Sequence, residues 1–174
     1  MPTHLLHVEA NDLPAHGQEC ELLSAFRAYL PRALQETRGV AILAPDSDST
    51  TAMLMVLARN IGAALRDDNI RMRAGGHDMR TERKSLAYLP GTMLATALAD
   101  SEAYQTLTSV AACFIQDLAL TWSDGSPDLP EIWLNLLTAR LAASRPTFLS
   151  ADPASLPASV REALRRGLTV IEQS

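Results

Sequence analysis

Residues 39–65 read GVAILAPDSDSTTAMLMVLARNIGAAL. An apolar run, GVAILA, stops at a short polar stretch, PDSDS, and a long apolar pattern at helical spacing follows. Asp48, Ser49 and Thr50 are each suitable helix caps at this junction. Strand, polar loop, then buried helix is the layout in which a phosphate-binding loop sits. Such a loop wraps backbone N–H groups around phosphate and adds a lysine countercharge. Here the loop has no glycine and no lysine, and it carries Asp46 and Asp48.

Outward from this stretch the pattern repeats. Residues 18–35 place Leu22, Leu23, Phe26, Tyr29, Leu30 and Leu34 at helical spacing, with Pro31 positioned to kink or end the helix. SLAYLP (85–90) reads as a strand, and 91–108 as one helix. VAACFIQDLAL (110–120) is a strand ending in Gln116-Asp117, and WSDGSPD (122–128) is a turn-rich loop. Residues 129–144 form a helix with Pro130 in its first turn, 145–152 a strand, 155–167 a helix, and 168–173 a last strand. The segment 67–84 is polar, holds Gly75-Gly76, and reads as a loop after a short strand at NIRMR. Strand patterns alternate with helical ones, and the strand runs are unbroken rather than alternating. Burial on both faces follows, and with it a parallel sheet between two helical layers. Right-handed crossovers restrict the topology, and five mainly parallel strands in the order 5-1-4-3-2 are expected, with 39–44 at the centre between 146–150 and 168–172.

The chain has 174 residues, enough for one domain with a real core, and a hydrophobic fraction of 47%. Residues 1–17 are expected to form a flexible arm with a short strand at HLLHV, and 18–174 a single α/β domain. No stretch reaches the ~18 apolar residues of a membrane span, and MPTHLLHVEANDLPAHG lacks the pattern of a secretory signal. Cys20 and Cys113 have no metal or redox spacing, and His4, His7, His16 and His77 have no metal spacing. A cytoplasmic location with neither metal nor cofactor is the expectation.

The ordered series resembles the ATPase core of the AAA+ superfamily, most closely the DnaC/DnaA-like helicase-loader and initiator group, over roughly residues 20–172. In that family the first strand leads into the Walker A loop, GxxxxGK followed by Ser or Thr. Here that loop falls on Ala44-Pro45-Asp46-Ser47-Asp48-Ser49-Thr50-Thr51, where only Thr51 matches. Ala44 and Ser49 stand at the glycines and Thr50 at the lysine. CFIQDL (113–118) resembles the LLVIDDL run of the loaders, with Gln116 at the first Walker B acid and Asp117 at the second. RPTFLSAD (145–152) resembles their RPTIITSN run and puts Asp152 at the sensor asparagine. VREALRRG offers Arg161, Arg165 and Arg166 near the arginine-finger position, without choosing among them. The resemblance implies a RecA-like core whose helical lid is expected to be absent, since the sequence stops just after the fifth strand. Another three-layer α/β fold, such as a flavodoxin-like one, fits the strand pattern without that ancestry.

Two unit charges about 5 Å apart at an effective dielectric of ~20 repel by roughly 3 kcal/mol, about two decades of affinity. The helix N-terminus returns about 0.3–1 kcal/mol. Asp46 and Asp48 therefore disfavour a bound phosphate, and either one can cap the helix and fill the anion position internally. Gln116 is a poor substitute for a carboxylate holding Mg²⁺. The reading is a non-catalytic AAA+-like binding or adaptor protein with a degenerate nucleotide site, linked to DNA replication, repair or recombination, as a monomer or small homo-oligomer. Two other readings stay open: a divergent nucleotide hydrolase using Thr51 and Asp117, and a small-molecule-binding α/β domain using the carboxyl ends of the strands.

Net charge is −5, which disfavours a nucleic-acid coat. The stretch 71–84 departs from it: Arg71, Arg73, Arg80, Arg83 and Lys84 face only Asp78 and Glu82, giving +3 there and −8 elsewhere. Lys84 is the sole lysine. Arginine clusters contact phosphate backbones, so these five residues are the candidates for weak nucleic-acid contact. A solvated loop and a protein partner are the alternative.

Overall fold

The computed structural model describes residues 21–33, 35, 37–80, 82–122 and 128–173. The arm 1–17 with its HLLHV strand, the start of the helix expected from 18, Cys20, and most of the 122–128 loop lie outside the described residues.

Five strands, β1 (Gly39–Leu43), β2 (Leu86–Pro90), β3 (Ala112–Gln116), β4 (Thr147–Ala151) and β5 (Thr169–Glu172), form one sheet in the order β2-β3-β4-β1-β5. Every pairing is parallel. The expected order 5-1-4-3-2 is the one observed. The expected neighbours of β1 are also observed, although β4, not β1, holds the middle place.

Among the described residues six α-helices cover the sheet: α1 (Glu21–Tyr29), α2 (Ser47–Ala74), α3 (Gly91–Ala99), α4 (Ser101–Ser109), α5 (Leu129–Ala142) and α6 (Ala158–Gly167). All five residues of β1 are buried, and the strand period of two sorts them between two cores. Val40 and Ile42 join Phe114, Phe148 and the apolar faces of α1 and α2. Ala41 and Leu43 join Ile115, Leu149, Trp133 and the inner faces of α3 to α6. Phe114 bridges the first core by stacking on Phe148 (4.9 Å between centroids) and Tyr88 (6.3 Å). Each such pair contributes about 0.5–1.5 kcal/mol beyond its buried area.

Three local expectations are corrected. NIRMR is not a strand: α2 continues through it to Ala74, for 28 residues. At 1.5 Å per residue that helix is about 42 Å long, against about 17 Å for a five-residue strand. The second half of α2 overhangs the sheet, so residues 66–74 lose the apolar periodicity that marks a buried helix. The single helix expected over 91–108 is two. Asp100 leaves the helical region (φ −91°, ψ 123°), and its carboxylate accepts the Ala103 N–H at 2.7 Å as the N-cap of α4. The strand expected over 110–120 stops at Gln116, and residues Leu118–Trp122 form a 3-10 turn.

The amino ends of β3 and β4 are locked by Arg140, a fully buried side chain of α5. Its guanidinium donates to Thr147 Oγ1 (2.9 Å), Val110 O (3.1 Å), Pro146 O (2.8 Å) and Leu107 O. No carboxylate accompanies it among the described residues, and burial pushes its pKa down.

Candidate functional site at the carboxyl ends of the strands

The turn after β1 is short. Leu43 ends the strand and Ser47 begins α2, leaving Ala44, Pro45 and Asp46 between them. Ala44 is buried and donates its N–H to Ala151 O at 3.1 Å. Asp46 is the N-cap. Its Oδ1 accepts the N–H groups of Asp48 (3.1 Å) and Ser49 (3.4 Å), and its Oδ2 accepts the Ser49 hydroxyl (2.6 Å). These bonds, the Ser49 hydroxyl first, hold the Asp46 carboxyl below its ordinary pKa. Of the caps expected from sequence, Asp48, Ser49 and Thr50 all lie inside the helix. Thr50 is fully buried, and its hydroxyl returns to Ser47 O at 3.1 Å. Thr51 also lies within α2, half-buried. A loop able to wrap a phosphate would keep the residues ahead of the lysine position, here Ser47, Asp48 and Ser49, outside the helix. Instead they are helical, and the first free N–H groups of α2 point at an internal carboxylate.

The second element lies after β3. Gln116 ends the strand, and its Oε1 accepts the Tyr88 hydroxyl at 3.2 Å. Asp117 follows in the left-handed region (φ 51°), and its N–H donates to Ser150 Oγ at 3.0 Å. The bend is packed from below by Gly91: a Cβ there would stand 2.0 Å from Asp117 O. Burial raises the Asp117 pKa, the hydrogen bond from Gln116 opposes this, and the Asp48 charge adds to the rise. Tyr88 is pushed up to about 12, mainly by burial and then by Asp117. The Asp48 and Asp117 charges therefore oppose each other across the strand ends, and among the described residues neither is ion-paired.

Asp152 lies one residue beyond β4. Its Oδ1 accepts the Ala154 N–H at 2.9 Å and its Oδ2 the Ser155 hydroxyl at 2.9 Å, so it caps a 3-10 turn. The structure thus gathers Asp46, Asp48, Gln116, Asp117 and Asp152 at one end of the sheet. Among the described residues none of the four carboxylates is ion-paired, and no three of them converge on one metal position. The finger candidates are engaged locally: Arg165 pairs with Glu172 at 3.1 Å and Arg166 with Glu162 at 2.7 Å. Arg161 is half-buried in the first turn of α6.

The basic stretch 71–84 divides between two elements. Arg71 and Arg73 lie in the last turn of α2, while Arg80, Arg83 and Lys84 lie in the connector to β2. Arg71, Arg73, Arg80 and Arg83 are exposed. Lys84 pairs with Asp68 at 2.8 Å, and His77 with Glu82 at 2.6 Å. Asp67-Asp68, which reads in sequence as a helix end, is interior to α2.

No protein-family model matches the chain, and no curated protein sequence matches it. Solved structures match it in fold. A DnaI structure shares 15% identity at a TM-score of 0.68, covering 100% of this chain and 95% of that one. The replication initiator DnaA bound to AMPPCP and single-stranded DNA shares 11% identity at 0.63, covering 96% of this chain and 50% of that one. AMPPCP-bound DnaA from Aquifex aeolicus shares 11% at 0.64, again covering 96% and 50%. The fold is that of the DnaA and DnaI AAA+ domains. The chain spans about half the length of the DnaA structures it matches.

Sequence reasoning missed Ser150, Tyr88 as the partner of Gln116, and Arg140. Ser150 and Tyr88 sit inside apolar strands, where a lone polar side chain gives no signal until the sheet order puts strands side by side. The Asp100 cap was legible, since Asp-Ser-Glu-Ala is a helix-start pattern.

Proposed function

We propose that this chain is a non-catalytic AAA+-like binding or adaptor domain with a degenerate nucleotide site, linked to DNA replication, repair or recombination. It works in the cytoplasm through a protein partner, as a monomer or small homo-oligomer, with neither metal nor cofactor. The observation that carries this reading is Asp46. A phosphate-binding loop leaves the N-terminus of its helix open for the anion. Here a carboxylate of the chain itself takes the first N–H groups. A triphosphate would have to displace an anion held by its own backbone while facing Asp48 as well. The unpaired cluster of Asp46, Asp48, Asp117 and Asp152 supports the same conclusion, since charge near the phosphates is the term that fails first. The likeness to DnaI and DnaA supports the replication setting.

The test is a thermal melt with and without millimolar ATP and Mg²⁺. Ligand that binds only the folded state raises the melting temperature by mass action. No rise and no turnover are expected. A clear rise, or phosphate release, overturns the reading in favour of a hydrolase using Thr51 and Asp117.

A further inference from the structure

Strand β2 is an edge. It pairs with β3 on one side, and its other side carries no strand among the described residues. In a parallel ladder, alternate residues turn both backbone groups to the same side. Ser85 O accepts from Ala111 and Ala112, so Ser85, Ala87 and Leu89 face β3. Lys84, Leu86 and Tyr88 face outward. The outward groups of Lys84 are already bonded: Asn69 of α2 accepts the Lys84 N–H at 2.8 Å and donates to Lys84 O at 2.7 Å. The Asn69 amide thus imitates one residue of a sixth strand and marks where the covered edge ends. Leu86 and Tyr88 come next, and among the described residues nothing bonds their backbone N–H or C=O.

A groove flanks this edge on each face. On the α2 face, about 680 Å³ opens between α2 and the connector, lined by Arg66, Arg73, Arg83, Ile70, Met79 and Leu86. Ile70 is 62% exposed there. Lys84 is neutralised by Asp68, while Arg66, Arg73 and Arg83 have no carboxylate at ion-pair distance among the described residues. On the opposite face, about 360 Å³ opens beside Ala87, Leu89, Ala97 and Leu107, with Asp100 and Glu102 at the rim.

We propose that β2 receives a sixth strand from a partner protein: an extended segment whose alternate side chains are acidic and apolar. Added strands take their affinity from backbone bonds and their specificity from pockets for alternate side chains. Here the period of two sends one set of side chains to the three arginines and the other set to the apolar groove between Ala87 and Leu107. Charge complementarity selects an acidic partner for the first face and excludes one for the second, where Asp100 and Glu102 stand. A nucleic acid would use the arginines but has no strand to pair with Leu86 and Tyr88. This site is separate from the nucleotide region, so its test does not depend on the fate of Asp46.

The probe is a fluorescein-labelled ten-residue peptide alternating Glu and Val, compared with its Lys–Val counterpart and a labelled single-stranded oligonucleotide. Anisotropy should show binding of the Glu–Val peptide alone, weakened about tenfold or more by Arg73→Glu with Arg83→Glu. Both residues are exposed, so the variant keeps its fold, checked by circular dichroism. In residue-resolved amide exchange, Leu86 and Tyr88 should exchange fast in the free protein and slow with peptide, while Ala87 and Leu89 stay slow in both. Leu86 and Tyr88 already slow when free, or unchanged on peptide addition, overturns the proposal. So does equal binding of the Lys–Val peptide, or a charge reversal that abolishes oligonucleotide binding and leaves the peptide untouched.

Discussion

Replacing Asp46 by alanine removes the side-chain contacts that cap the start of α2: two backbone N–H bonds at 3.1 and 3.4 Å and the Ser49 hydroxyl bond at 2.6 Å. Loss of such a cap costs about 0.5–2 kcal/mol. Asp46 is exposed, so water re-solvates the freed groups and the value should fall near 1 kcal/mol. For a chain of this size that is a fall of about 2–4 °C in melting temperature. Asp46→Asn keeps the acceptor and should lose only a few tenths of a kcal/mol. The pH dependence has a definite sign. The folded pKa of Asp46 is depressed below the ordinary 3.8. Its contribution is therefore fully present above that value and is lost as pH falls through the folded pKa. The gap between wild type and Asp46→Ala should be widest at pH 7 and should narrow below about pH 4 toward the gap that separates Asp46→Asn from Asp46→Ala, since a neutral acceptor still caps the helix. The alanine variant also vacates an anion position at a helix N-terminus. Sulfate, compared with chloride at equal ionic strength, should then raise the melting temperature of the variant more than that of wild type. Scanning calorimetry across pH and anion type measures all three. An alanine variant as stable as wild type at pH 7, or a sulfate response identical in both, refutes the claim that Asp46 fills the anion site.

Three further outcomes follow from other parts of the molecule. Arg140→Met should lose about 3–5 kcal/mol in urea denaturation, because four acceptors at the amino ends of β3 and β4 are left without their shared donor; a loss under 1 kcal/mol would mean the guanidinium is only spectator packing. Asp117→Asn should raise the melting temperature at pH 7, since burial lifts the Asp117 pKa and its ionised form is the strained one. That penalty is absent below the ordinary value and grows as pH rises through the folded pKa, so the gain should vanish near pH 3, and asparagine tolerates the left-handed backbone. Gly91→Ala sets a Cβ 2.0 Å from Asp117 O and should destabilise the β2–β3 end by more than 2 kcal/mol, read as earlier amide exchange at Asp117; a neutral substitution would show that the bend relaxes freely.

The five strands, their parallel pairing and their order in the sheet were legible in the chain alone. Runs such as GVAIL and ACFIQ are apolar at consecutive positions, and only a strand covered on both faces needs that. The missing lysine and glycines of 44–51 were equally legible, because they are statements about composition within one short loop. The tertiary structure decided everything that depends on which groups meet. Asp46, rather than Asp48, Ser49 or Thr50, is the cap because α2 begins at Ser47, and propensity alone does not distinguish among the capping residues of 46–50. The polar residues 67–74 are helical because Asn69 and Asp68 are held by Lys84, fifteen and sixteen positions later. Such bonds leave no periodicity in the chain. The open edge at Leu86 and Tyr88 exists only once β2 is known to be the end of the sheet, a property of topology that no local pattern encodes.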